Sequence, residues 1–276
     1  RYRVSFATFG GKRVYGFLTV PKKGGTSYPA DVLVPGAGAG LCEDAIIGDP
    51  ACVSLCMNVH PVRPGKTGKE QSAVYTDYCS RLSKELEGPA AYPSRGLHLS
   101  REAFFFHDII LGIARSVDWL AQQKFVDDRR IVYRGGSQGG FMGLALAALT
   151  QRFAKVYVYV PAVTDTFVRE VRGLQNPWPS ALEVYAARMK DSLPSVRANL
   201  PYFDAVNFAS EARCPIRVAV GLADLTCPPP GVWAAYNALP SKDKRMYQMP
   251  GMPHAAPGGA VGKEINAWLA FPGEVK

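Results

Sequence analysis

No run of apolar residues in the 276-residue sequence is long enough to cross a bilayer, which takes about 20, so no membrane span is expected. Histidine is scarce, with four in all, and the six cysteines (Cys42, Cys52, Cys56, Cys79, Cys214, Cys227) lack the paired spacing of a metal site, so no metal centre is expected. Cys52 and Cys56 fall in a strand-like run where alternate side chains point the same way. Buried thiols are the expectation there, which leaves the redox compartment open. No Gly-Lys-Ser/Thr is present at the Ser137 turn to make a phosphate loop. The glycine-rich stretch Pro35-Gly-Ala-Gly-Ala-Gly40 puts Leu41 where a dinucleotide fingerprint needs its third glycine, so no nicotinamide cofactor is expected. The formal charge of +9 is scattered rather than gathered into a block, and no nucleic-acid module is recognisable. Such a surface suits an acidic polysaccharide or simply aids solubility. There is no internal repeat and no linker, and 47% hydrophobic residues suffice for one large core, so residues 1–276 read as one domain. The chain opens at Arg1 without a methionine or a leader-like stretch, so an upstream region is expected to be missing from it.

What is present centres on Tyr133-Arg-Gly-Gly-Ser-Gln-Gly-Gly-Phe141. The apolar run Arg130–Tyr133 leads in and the helical run Phe141–Leu149 leads out. Strand, sharp turn and helix are the setting of a nucleophile elbow, and Gly135-x-Ser137-x-Gly139 is its pattern. A serine on such a strained turn leaves no room for side chains two positions before and after it.

In chain order, Tyr2–Ala7 and Arg13–Val20 read as an antiparallel hairpin, and Ala30–Val34 and Ala51–Val59 as buried strands. His60 to about Ser100, rich in Pro, Gly, Lys and Tyr, reads as a long surface loop. Phe104–Gln123 has helical spacing, with Ile109, Ile113, Val117 and Leu120 on one face. Ala154–Val160, Arg217–Val220 and Arg245–Gln248 follow as strands, and Val261–Leu269 as a closing amphipathic helix. Residues 164–201, with Trp178 between two prolines and a helix-like Ala181–Lys190, read as a cap inserted over the site or as a surface helix pair. Lys242-Asp243-Lys244-Arg245 reads as a solvated loop. Strands alternating with helices predict an α/β fold with a mostly parallel sheet and helices on both faces.

Functional groups in such folds gather at the carboxyl ends of parallel strands. Gly221-Leu-Ala-Asp224 ends the penultimate strand and Pro250-Gly-Met-Pro-His254 ends the last, in the order serine, acid, histidine. Ser137 is therefore the candidate nucleophile, His254 the base and Asp224 its partner; backbone N–H groups of Gln138 and Ala37 are the candidate oxyanion donors. His60 and Trp178 are candidates for lining the pocket. His107, among aromatic neighbours, reads as a packed residue, and His98 has no evident partner. Asp204 and Asp165 compete for the acid role but follow no clear strand, and Cys227 reads as packing.

Gly135-Gly-Ser-Gln-Gly-Gly140, Tyr202-Phe-Asp-Ala-Val-Asn-Phe-Ala209, Gly221-Leu-Ala-Asp-Leu-Thr-Cys-Pro-Pro229 and Ala234-Ala-Tyr-Asn237 together resemble the acetyl xylan esterase/cephalosporin C deacetylase family, carbohydrate esterase family seven of the α/β-hydrolases. The resemblance implies an α/β-hydrolase fold and deacetylation of sugars without metal or organic cofactor. It also shows departures. The family's His-Gly-Tyr-Asn-Gly-Gly is Pro35-Gly-Ala-Gly-Ala-Gly40 here, so its tyrosine place holds Ala37. Its Arg-Gly-Gln is replaced by about His60-Pro-Val62, its His-Glu by His254-Ala255, and its N-terminal helical extension is absent. The expected function is a serine esterase acting on acetylated carbohydrate of the xylan or xylo-oligosaccharide kind. A prolyl-oligopeptidase-type peptidase domain and a non-catalytic binding module are the alternatives. A bacterial periplasmic or secreted location is expected over a cytoplasmic one, and a homo-oligomer is left open.

Overall fold

The structure, a computed structural model, describes residues 1–22, 27–85, 92–168 and 178–271. Its centre is an eight-stranded sheet in the order β1-β2-β4-β3-β5-β6-β7-β8. The strands are β1 (Tyr2–Ala7), β2 (Arg13–Thr19), β3 (Tyr28–Leu33), β4 (Val53–Met57), β5 (Val126–Gly136), β6 (Lys155–Tyr159), β7 (Ile216–Gly221) and β8 (Lys244–Met249). β1 and β2 form the antiparallel hairpin read from their alternation, and β3 to β8 run parallel.

The helices lie on both faces: α1 (Gly68–Glu85), α2 (Phe105–Ala121), α3 (Gln138–Thr150), α4 (Ala181–Arg188), α5 (Leu193–Asn199), α6 (Ala205–Ala209), α7 (Pro229–Ala238) and α8 (Gly259–Leu269). Period-two alternation decides which strand residue meets which layer. On β5, Ile131 and Tyr133 enter the main core with Ile109, Ile113, Val117 and Leu120 of α2, while Val132 points the other way toward Ile265 and Leu269 of α8. Each such aliphatic side chain contributes about 1.5–3 kcal/mol when buried. Helix α3 is buried almost all round, because it sits at the centre of its layer, against α2, α6, β5 and β6.

Two expectations need correction. The segment from His60 to Ser100 is not a long surface loop, since Gly68–Glu85 forms α1 and Tyr92 to Leu97 are buried. Its buried stripe consists of Gln71, Tyr75, Cys79 and Leu82, at helical spacing but mixed in polarity, so hydropathy alone hides it. Thr67 and Glu70 cap its start: Thr67 Oγ1 accepts from the Glu70 N–H (3.2 Å) and Glu70 Oε2 from the Lys66 N–H (2.7 Å). Lys244 joins the strand read from Arg245 onward, as the start of β8 rather than part of a solvated loop, and its Nζ reaches the Leu239 carbonyl at 2.7 Å. The cysteines are thiols, Cys42 and Cys227 buried and the other four half-buried.

Of the stretch 164–201, residues 169–177 lie outside the described residues. Around them, α4 and α5 pack together, and the buried Tyr185 hydroxyl donates to the Ser94 carbonyl (2.8 Å) and faces His98 Nδ1 (3.0 Å). Asp204 caps α6 by accepting from the Val206 N–H (2.9 Å), and also takes the N–H groups of Asp165 and Thr166 and the Thr166 hydroxyl. This buried carboxylate ties the chain after β6 to α6. Asp204→Ala, which leaves those donors unpaired, is expected to cost about 2–4 kcal/mol in urea unfolding. Asp204→Asn should recover part of that loss.

Candidate active site

β5 runs directly into Ser137, whose backbone sits at φ 56°, ψ −122°, and α3 starts at the next residue. A non-glycine residue there carries strain of about 1–3 kcal/mol. Three hydrogen bonds hold it: the Ser137 N–H donates to the Tyr159 carbonyl, and the Ser137 carbonyl accepts from Phe141 and Ala162, each at 3.0 Å. The flanking glycines have a steric cause. A Cβ on Gly135 would lie 2.6 Å from the Gly139 carbonyl oxygen, and one on Gly139 would lie 2.1 Å from that of Val34. The Ser137 side chain makes no capping bond to α3, so its hydroxyl is left for other work.

Asp224 follows β7. Its carboxylate is buried, with Oδ1 accepting from the N–H groups of Thr226 (2.8 Å) and Cys227 (2.9 Å), and Oδ2 from His254 Nδ1 (2.7 Å). His254 follows β8 and keeps 28% of its side chain exposed, so one edge of the ring reaches the surface. Gly221 lets the two loops close: a Cβ there would lie 2.6 Å from the carbonyl oxygens of both Met252 and Pro253. The Ala223 N–H donates to Met252 (3.1 Å), fastening the histidine loop to the acid loop. Orientation of an imidazole by a buried carboxylate is the geometry a general base needs.

Cys227 is the third member of this cluster. Its sulfur lies within 4.8 Å of the ligand atoms of Asp224 and His254. Burial, reinforced by the Asp224 charge and opposed by a hydrogen bond from the Ser137 hydroxyl, pushes its thiol pKa well up. Ser137, Asp224 and His254 thus follow the carboxyl ends of three parallel strands, with Cys227 clustered beside the last two. Among the described residues Ser137 makes no hydrogen bond to His254, whose Nδ1 is held by Asp224.

The glycine stretch after β3 lies against the elbow, where a Cβ on Gly36 would touch Ser137 Cβ at 3.6 Å. Neither the Ala37 nor the Gln138 N–H has a protein acceptor among the described residues. His60 is buried behind this stretch, its Nε2 at 2.7 Å from the Gly38 carbonyl, so Nε2 carries the hydrogen. Burial lowers its pKa, which keeps the ring neutral, and Nδ1 has no partner among the described residues. Trp178 is half-buried, its backbone N–H donating to the Thr226 carbonyl (2.8 Å), which sets it beside the acid loop. The remaining candidates have other duties: His107 Nδ1 meets Asp108 (2.9 Å), and Asp165 helps fill the Asp204 cap. Sequence reasoning missed Tyr92, whose hydroxyl donates to Gln138 Oε1 (2.9 Å), and Gln71, which donates to the Ala39 carbonyl.

The sheet order, the elbow and the placement of the loops define an α/β-hydrolase. Solved structures agree: the chain is similar to the acetyl xylan esterase from Paenibacillus sp. R4 (TM-score 0.74, 23% identity, 97% of this chain and 82% of that one). Acetyl xylan esterase 1 from Thermoanaerobacterium sp. JW/SL YS485 is similar to the same extent (TM-score 0.75, 23% identity, 97% and 82%). The model of the family described as acetyl xylan esterase (AXE1) matches residues 1–271, and the chain belongs to that family. Among curated proteins, the acetyl esterase Axe7A of Xylanibacter ruminicola is 26% identical over 231 residues, which is 82% of this chain. The chain spans about half (49%) of that relative's length.

A protonated, buried thiol is a poor nucleophile. Cys227 is therefore expected to stay unlabelled by iodoacetamide at about pH 8 in the folded protein and to react once urea unfolds it, as read by peptide mass spectrometry.

Proposed function

We propose that the chain is a serine esterase that removes acetyl groups from acetylated carbohydrate of the xylan or xylo-oligosaccharide kind. The observation that carries this is the strained Ser137 elbow on the same rim as the 2.7 Å Asp224–His254 pair. Membership of the acetyl xylan esterase family supports acetyl as the acyl group.

In this reading a rotation about χ1 brings the Ser137 hydroxyl to the imidazole, a contact that resting sites often hold long. Ser137 Oγ then attacks the acetyl carbonyl while His254 takes its proton. The oxygen that becomes negative is received by the N–H groups of Gln138 and Ala37, each such donor lowering the barrier by about 3 kcal/mol. His254 returns the proton to the departing sugar oxygen, leaving acetyl-Ser137. Water, deprotonated by His254, attacks the acyl carbon; the bond to Ser137 Oγ breaks, His254 returns the proton to that oxygen, and acetate leaves. Asp224 holds the ring tautomer and offsets the imidazolium charge, its own charge stabilised by two backbone N–H groups. Trp178, half-buried beside the acid loop, supplies an apolar face on which a sugar ring can lie.

Acetate release from acetylated xylan and turnover of p-nitrophenyl acetate are both expected, with a fluorophosphonate labelling Ser137. Ser137→Ala should cost about 10³-fold or more in rate with the fold intact. Clear preference for a proline-containing peptide anilide would turn the reading to a peptidase, and absence of labelling would turn it to a binding module. Trp178→Ala is expected to raise KM for the polymer about tenfold or more while leaving that for p-nitrophenyl acetate nearly unchanged.

A further inference from the structure

The stretch 36–40 has only glycine and alanine side chains, so nothing of its own can hold it in place. Its peptide groups are held from outside. The Gly36 carbonyl faces Gln138 Nε2 at 3.5 Å, the Gly38 carbonyl faces His60 Nε2 at 2.7 Å, and the Ala39 carbonyl accepts from Gln71. Leu41, just beyond, exchanges two hydrogen bonds with Asn58, at 2.7 and 2.8 Å.

Tyr92 sits where these supports meet the elbow. It is 7% exposed, and its ring packs edge-on against His60 (4.8 Å between centroids) and Phe105 (5.1 Å). Its hydroxyl donates to Gln138 Oε1 at 2.9 Å, and the Gly38 N–H faces the Tyr92 hydroxyl oxygen itself. A donor on Oε1 settles which end of the Gln138 amide faces which way, leaving Nε2 directed at the Gly36 carbonyl. Gln138 belongs to the first turn of α3 and Gly36 precedes Ala37, so this chain of contacts spans the two backbone N–H groups of the oxyanion hole.

Two N–H groups stabilise a single oxygen only if both lie about 2.7–3.1 Å from it, which leaves little tolerance in their spacing. We propose that Tyr92 is a positioning residue that sets the spacing of the Ala37 and Gln138 donors by clamping the glycine stretch to the start of α3. The proposal rests on the esterase reading. Tyr92 makes no contact with the reacting atoms in it, and its effect falls on the transition state rather than on substrate binding.

Tyr92→Phe removes the hydroxyl and keeps the ring packing. With p-nitrophenyl acetate, kcat is expected to fall about 10- to 100-fold, at most the loss of one donor, with KM within about twofold. Affinity for a trifluoromethyl ketone, which becomes a tetrahedral oxyanion on Ser137, should fall by the same factor as kcat/KM. Hydrogen exchange of the Gly38 amide should quicken. Unchanged kcat/KM, or a fall in kcat with unchanged ketone affinity, overturns the proposal. Wild-type turnover that Ser137→Ala abolishes is measured first and separates the two readings. If that variant keeps full turnover, the esterase reading fails on its own, and Gly38 exchange unaltered by Tyr92→Phe then overturns the clamp.

Discussion

The backbone at Ser137 is the constraint on which the rest of the site depends. At φ 56° and ψ −122° it is a conformation that side-chain-bearing residues avoid, and its cost of about 1–3 kcal/mol is of the same size as the three hydrogen bonds that hold it, at about 1 kcal/mol each. Those bonds come from Tyr159 at the end of β6 and from Phe141 and Ala162. The turn is therefore maintained by the neighbouring strand and by the helix it starts, and it cannot relax without loosening both. Close packing of β3 against the elbow, with Gly139 pressed on the Val34 carbonyl, closes the remaining direction.

The acid–histidine pair is built by a different means. Burying a carboxylate costs several kcal/mol unless its oxygens are matched. Asp224 is matched by two N–H groups of its own loop and by His254, so the loop after β7 is shaped around the charge it carries. The same loop brings Cys227 and, through Thr226, Trp178 to the rim. Gly221 has no side chain because the histidine loop lies on it. One carboxylate thus organises His254 and its neighbours, while the strained elbow places Ser137, the proposed nucleophile, independently of it.

What was legible in the residues follows from this division. The elbow glycines, the hairpin and the positions of Asp224 and His254 after β7 and β8 are set by local sterics and by strand periodicity, which short windows carry. Helix α1 was not legible by hydropathy because its buried face uses Gln71, Tyr75 and Cys79 beside Leu82. Thr67-x-x-Glu70 was a start signal that could have revealed it. His60 was singled out for its place after a strand, yet its contact with Gly38 needs the β3–β4 register before it can be seen. Tyr92 had no such hint. Its contacts with Gln138 and His60 join segments far apart along the chain, and no local pattern marks a residue whose partners are all distant.

The glycine stretch shows why distant residues matter here. Small side chains let its backbone approach Ser137 closely, which is what presenting an N–H to the reacting oxygen requires. The same smallness removes any packing of its own, and a free loop would give up backbone freedom worth about 1–2 kcal/mol per residue on each encounter with the transition state. Holding its carbonyls with Gln71, His60 and Gln138 moves that ordering into the folding of α1 and of the core around Tyr92. Reorganisation is then already complete when charge develops on the substrate, the condition under which backbone donors are most effective. The polar face of α1 and the neutral, buried imidazole of His60 belong to the proposed site in this sense, through the backbone that they hold.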